Sequence, residues 1–382
     1  RRMIMKILAL YLPQFHAIPE NDEWWGKGFT EWVNVKKAKP LFEGHYQPRI
    51  PLNENYYNLL DNSVKKWQID LAKEHGIYGF CVYHYWFCGK KLLEKPMEQY
   101  LADKSLDFPF CFCWANEHWS NAWVSGENKI LMAQNFEDRE DWDNHFYYML
   151  PFFQDERYIK EDGKPLYVIY LPNIIGPLNE MIDRWQELAK QNGLPGIKFI
   201  SQSPFWHLDN NADKSRFDYS IEFQPSMINH LEKGKQGAKW VRWKTKLSLF
   251  LQNKLHIYVK LPKKEVHRSS YDDKWKQVLA IHPQNDSCIP GAFVDWDNTP
   301  RKGKRGDVYV GASPEKFKHY FDLQVKHVKR EYKTDWLVMF AWNEWAEGGI
   351  LEPTERYGTG YLEAIRDVLL ENEEFPTWDG NK

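Results

Sequence analysis

"DWLVMFAWNEWAEGGILEP" occupies Asp335–Pro353, and its reading decides the fold. It opens as a continuous apolar run and ends in chemistry. The thirteen residues Ala341–Pro353 carry Glu344, Glu347 and Glu352 together with Trp342 and Trp345. A near-continuous apolar run fits a strand buried on both faces, as in a parallel sheet. Trp and Glu can also form the two faces of an ordinary amphipathic turn. The rest of the chain has to separate these readings.

The same shape recurs seven more times. Apolar runs lie at Met5–Phe15, Ile77–Phe87, Pro109–Glu117, Pro165–Pro172, Ile197–Ser203, Phe217–Pro225 and Ile289–Asn298. Helical periodicity intervenes at Asn62–His75, Leu178–Gln191 and Ser313–Lys329. The last begins with Ser313 as N-cap, Pro314 at the first helical position and Glu315 in the first turn. Eight strands alternating with helices predict a single (β/α)8 TIM barrel over residues 1–382, an α/β fold. Catalysis in such barrels sits where the strand C-termini converge. Those ends carry Tyr11 and His16; Tyr83, His84, Tyr85 and Trp86; Trp114, Asn116 and Glu117; Tyr170; Gln202; Glu222 and Gln224; Asp295 and Trp296; and Trp342, Asn343, Glu344 and Trp345. These residues are the predicted substrate contacts. Tyr11, Tyr83 and Tyr85 are candidate floor residues, and Trp86, Trp114 and Trp342 candidate stacking platforms.

Composition narrows the function. The net charge of −2 and the lack of a recognition motif exclude a dedicated nucleic-acid binder. Five Cys without repeated spacing argue against a disulfide scaffold and for a reducing compartment. Cys111 and Cys113 alternate with Phe110 and Phe112, a buried-strand pattern. The start, "RRMIMKILALYLPQF", has two basic residues before an apolar run. That run is short, contains Lys6 and leads into Pro13 rather than a small-residue cleavage site. It reads as the first strand, and a cytoplasmic location is expected. No stretch approaches the roughly 18–20 apolar residues of a membrane span. Aromatic residues make up 16%, with 19 Trp. Trp and Tyr suit stacking on the apolar faces of sugar rings, so an oligosaccharide or polysaccharide partner is expected. His16, His45, His84 and His118 are scattered without ligand spacing, and neither a metal nor a cofactor is predicted.

Long loops are expected after strands one and six. Gly26–Asn55 is punctuated by Pro and Gly. Residues 227–286 read as an insertion or lid, and 372–382 as a C-terminal tail. Within the insertion, Lys233–Lys264 holds ten Lys or Arg and no Asp or Glu. It reads either as a solvated helix packed by its apolar stripe, or as a basic lid over an acidic glycan or a peripheral membrane surface.

Glycosidic bond cleavage needs a proton for the leaving oxygen and a second group on the anomeric side. Two carboxylates with unequal pKa values supply both. Glu344 and Glu347 are three apart, so a helical turn would put them on one face. Close carboxylates can keep one proton between them near neutral pH.

"WNEWAEGGILEP" resembles the strand-eight motif of the glycoside hydrolase family 99 endo-α-mannosidases. "YLPQFHAIPENDEWWGKGFTEWVNVKKAKPLFEGHYQP" (Tyr11–Pro48) and "YGTGYLEAI" (Tyr357–Ile365) resemble the WbsX-like, family-99-like proteins. Those proteins are often found with polysaccharide and O-antigen biosynthesis and are usually labelled glycosyltransferases. The resemblance spans nearly the whole chain. It implies an endo-acting, retaining route without a covalent enzyme intermediate. One Glu acts as base on the sugar 2-hydroxyl, which closes a 1,2-anhydro ring, and the other protonates the leaving oxygen. By position Glu344 would be the base and Glu347 the acid. The motif departs at Ala346, where the family carries His.

Two rival functions stay open. Asp295-Trp296-Asp297 matches the short Asp-x-Asp motif of nucleotide-sugar transferases, though no phosphate-binding glycine loop opens a helix here. A catalytically silent glycan-binding barrel would keep the tryptophans but would not need two glutamates three apart.

Overall fold

The computed structural model of the chain describes residues 4–120, 130–235 and 265–378. All eight expected strands are present: β1 (Lys6–Tyr11), β2 (Gly79–Phe87), β3 (Phe110–Trp114), β4 (Lys164–Ile169), β5 (Lys198–Ser201), β6 (Tyr219–Ile221), β7 (Cys288–Ile289 and Gly291–Phe293) and β8 (Trp336–Phe340). Neighbours pair in parallel in chain order, and β1 pairs with β8, Lys6 opposite Trp336. Pro290 interrupts β7 because it has no N–H to give. Its carbonyl still accepts from Val338 N at 3.0 Å. The segment before Pro290 pairs with β6 and the segment after it with β8, so the ring closes. Gly291 makes that closure possible, since a Cβ there would lie 2.2 Å from the Glu222 carbonyl oxygen.

A helix follows each strand: α1 (Asn62–Glu74), α2 (Lys95–Ala102), α3 (Arg139–Gln154), α4 (Leu178–Gln191), α5 (Pro204–Leu208), α6 (Tyr271–Leu279), α7 (Pro314–Glu331) and α8 (Gly360–Glu371). Their starts are written locally. Asp61 caps α1 by accepting from Ser63 N, and Ser313 caps α7 by accepting from Lys316 N with Pro314 at the first position. Every residue of β2 is buried. One face meets the barrel interior and the other meets helices, which is why the strand sequences are apolar throughout.

Two boundaries differ from expectation. The last part of 227–286 is barrel wall: in α6, Trp275 stacks on Phe293 with centroids 4.9 Å apart, and Tyr271 donates to the Val294 carbonyl. Beyond the helix Ser226–Lys235, the basic stretch Lys233–Lys264 lies outside the described residues. The described residues after α8, 372–378, pack on the barrel. Glu374 is 2% exposed and accepts from Met5 N, while Trp378 donates to the Tyr78 carbonyl. They cover the end of the barrel where β1 begins. No helix among the described residues is long and apolar enough to cross a membrane.

Candidate active site

The β8 run ends in a tight hairpin. Asn343–Glu344 pairs antiparallel with Gly349–Ile350, and Glu347 N donates to the Glu344 carbonyl at 3.0 Å. The two glutamates therefore share a four-residue turn, not the expected helical turn; the turn also folds positions i and i+3 together. The two glycines after Glu347 are required. Gly348 has φ +84°, and a Cβ on it would lie 2.7 Å from Asp297 N. A Cβ on Gly349 would lie 2.4 Å from the Phe340 ring.

The third carboxylate of the motif holds this hairpin in place. Glu352 accepts from Trp342 Nε1 (3.0 Å), Trp345 Nε1 (2.7 Å), Tyr57 OH (2.8 Å) and Gln68 Nε2 (2.6 Å). Burial pushes it up to about 7 against those four donors. Trp342 and Trp345 are fully buried, so they anchor the turn and do not face a ligand. Asn343 clamps the same hairpin to β1, accepting from Leu12 N and donating to the Leu12 carbonyl.

Glu344 and Glu347 turn the other way and meet Arg301, from the short helix Thr299–Lys302 after β7. Its Nη1 donates to Glu347 at 2.6 Å and its Nη2 to Glu344 at 3.4 Å, while Nε donates to Glu31 at 2.8 Å. Glu31 sits in the helix Glu31–Lys37 of the long loop after β1. One guanidinium thus faces three carboxylates. Burial and then the charge of Glu347 push Glu344 up to about 8, against the opposing pull of Arg301. Burial beside a second carboxylate therefore favours the protonated form of Glu344 near neutral pH. Across the opening, burial and Glu347 push Glu117 up to about 7.

These groups line a cavity of about 440 Å³ at the C-terminal end of the barrel. Of the predicted contacts it brings together Tyr83, Tyr85, Glu117, Tyr170, Trp296, Glu344 and Glu347. The other predicted contacts lie outside this lining, three of them through strand parity. Successive strand residues point to opposite faces, so Tyr83 and Tyr85 face the cavity while His84 and Trp86 face α3. There His84 lies 2.8 Å from His145, Trp86 stacks on His145 at 4.6 Å, and Trp114 meets the same ring edge-on. Trp296 lines the cavity, but Asp295 is taken by Arg49 (2.6 Å), and Asp297 by His45 and Gln47 (2.8 Å each). The Asp-x-Asp carboxylates thus fasten the β1 loop to β7. Tyr11 donates to Gln68, Asn116 bridges to Leu171, and Gln202 lies between Cys113 and the Tyr83 hydroxyl below the cavity. His16, Gln224 and Glu222 are buried outside the lining, and Glu222 accepts from Tyr332.

Sequence reading missed Glu31, Arg301 and the aromatic wall of Trp24, Trp25 and Trp119, in which Trp24 and Trp119 meet edge-on at 5.5 Å. The two wall residues Trp24 and Trp25 lie inside the "NDEWWGKGFTEWV" stretch that carries the family resemblance, which is the one local signal available for them.

The family model described as glycosyltransferase WbsX matches residues 7–365. The uncharacterized protein WxcX of two Xanthomonas campestris pv. campestris strains is 34% identical over 377 and 379 residues, 97% of this chain and 50% of each relative. The chain spans about half the length of these curated relatives. Among solved structures, the GH99 endo-alpha-mannosidase from Bacteroides thetaiotaomicron aligns with TM-score 0.54 and 13% identity over 98% of this chain and 99% of its own. A glycoside hydrolase-like protein aligns with TM-score 0.57 and 13% identity over 98% and 95%. These structures share the fold.

Proposed function

The chain belongs to the WbsX glycosyltransferase family, and on that premise we propose that it is a carbohydrate-active enzyme that cleaves or remodels glycosidic bonds in a bacterial-type polysaccharide. The observation that carries this reading is the Glu344–Glu347 pair, two carboxylates on one turn beside Arg301 in an aromatic-walled cavity. The pair acts as an acid–base unit on a sugar bound against Trp24, Trp119 and Trp296. In the order implied by the family-99 resemblance, Glu344 accepts the proton of the sugar 2-hydroxyl and Glu347 protonates the leaving oxygen. Burial and the neighbouring carboxylate favour the protonated form of Glu344 in the ligand-free site, so this order requires proton transfer from Glu344 to Glu347 when the glycan binds. Both carboxylates lie on one turn beside one guanidinium, so the transfer leaves the net charge of the site unchanged. The retaining, endo-acting route belongs to this proposal.

A second reading is sugar transfer from a nucleotide donor, favoured by the family's description. It gains nothing from Asp295 and Asp297, which are consumed by Arg49, His45 and Gln47. Product analysis in ¹⁸O-water separates the two. Wild type and Glu347→Gln are incubated with α-mannans, α-rhamnans and O-antigen polysaccharides, without nucleotide sugars. The proposal expects labelled reducing ends from wild type alone. No cleavage, followed by chain growth once nucleotide sugars are added, would establish transfer.

A further inference from the structure

Three side chains distant in sequence meet in the barrel wall, away from the cavity. His207 lies in α5, Glu222 follows β6 and Cys288 opens β7. A nitrogen, an oxygen and a sulfur from the three lie within 4.8 Å of one another. Each residue is at most 3% exposed. Two of the polar atoms, His207 Nε2 and Glu222 Oε1, have no hydrogen-bond partner among the described residues. Buried polar atoms are rarely left so.

The far sides of the imidazole and the carboxylate are fixed, and the Cys288 thiol donates to Asn285 Oδ1 at 3.7 Å. His207 Nδ1 lies 2.8 Å from Ser220 Oγ, which leaves Nε2 as the open nitrogen. Tyr332 OH donates to Glu222 Oε2 at 2.5 Å, which leaves Oε1 open. Such outer hydrogen bonds are how metal ligands are oriented.

We infer that His207, Glu222 and Cys288 form a structural site for one divalent ion of the zinc class. Imidazole, carboxylate and thiolate together suit a borderline ion, and three protein ligands leave the fourth tetrahedral position to water. Binding releases the Cys288 proton and any proton on Glu222. A doubly charged ion beside one thiolate and one carboxylate is neutral overall, which suits a buried site. None of the three residues lines the cavity, so the ion would tie α5, β6 and β7 together without entering the chemistry at Glu344.

The test is titration of the full chain with cobalt(II) alone, read by absorbance. The expected result is one equivalent bound with a thiolate-to-cobalt charge-transfer band. Cys288→Ser abolishes the band, and Tyr332→Phe, which removes only the hydroxyl behind Glu222, weakens binding by roughly tenfold or more. Circular dichroism establishes that each variant is folded, and Tyr332→Phe carries the test if Cys288→Ser is not. The remaining cluster of this kind among the described residues, His282, His327 and Glu331, contains no sulfur and has His282 exposed. Cobalt bound without the band would therefore point there and overturn the inference. A band unchanged in Cys288→Ser, affinity unchanged in Tyr332→Phe, or no binding at all would overturn it equally.

Discussion

At the scale of single residues, the three glutamates of the opening motif do different work. Glu344 is buried beside a charged neighbour, and its pKa of about 8 stands above the ordinary carboxylate value. The folded state therefore keeps a proton that the unfolded chain gives up. The associated stability is fully present below the ordinary carboxylate pKa and is lost as pH rises through about 8. Glu344→Gln removes that loss. Melting curves from about pH 6 to about pH 9 should show the wild type falling more steeply than the variant, while the variant loses roughly 100-fold or more in turnover. Parallel curves would contradict the assignment. Glu117 and Glu352 stand at about 7 and contribute to both proteins alike, so the difference reads Glu344. Glu352 is also raised by burial, but it serves as an acceptor for four donors. A glutamine there turns an N–H₂ toward at least one indole N–H. Urea unfolding of Glu352→Gln should show a loss of roughly 1–3 kcal/mol, and an unchanged midpoint would remove Glu352 from its anchoring role.

At the scale of elements, Arg301 joins the β7–α7 loop, the β8 hairpin and the helix Glu31–Lys37 of the first loop. Arg301→Met leaves the buried Glu31 without its cation. Breaking a buried pair from one side costs about 3–5 kcal/mol, measurable by denaturant unfolding. A loss below about 1 kcal/mol, the range of exposed pairs, would contradict the burial described. The strands themselves were legible as apolar runs, and all eight formed. Their parity was not: when both faces of a strand are buried, the hydrophobic pattern carries no mark of inside and outside. The sequence therefore does not separate His84 and Trp86 from Tyr83 and Tyr85. Arg301 and Glu31 were illegible for another reason. They are 270 positions apart and meet only through the closure of the barrel.

Across the whole molecule, the high tryptophan content has two explanations rather than one. Trp185, Trp275, Trp336, Trp342 and Trp345 are fully buried and build the core and the hairpin anchor. Trp24, Trp25, Trp119 and Trp296 line the cavity. Composition pointed to carbohydrate, but only the fold separates the two groups. Trp342→Ala should cost about 3–5 kcal/mol of stability, read by chemical denaturation. Trp296→Ala should instead weaken glycan binding, read by calorimetry with the polysaccharide that the product analysis identifies. Equal effects of the two substitutions on both readouts would contradict this division.

The central claim is that Glu344 and Glu347 form one acid–base unit, and substrates of that polysaccharide's repeat with poor and activated leaving groups test it most directly. Protonation of the leaving oxygen matters little when the leaving group is already good. The account predicts that Glu347→Gln recovers turnover on the activated substrate while Glu344→Gln stays inactive on both. Recovery by Glu344→Gln instead would reverse the two roles. Wild-type turnover in either variant on the poor leaving group would contradict the paired mechanism itself.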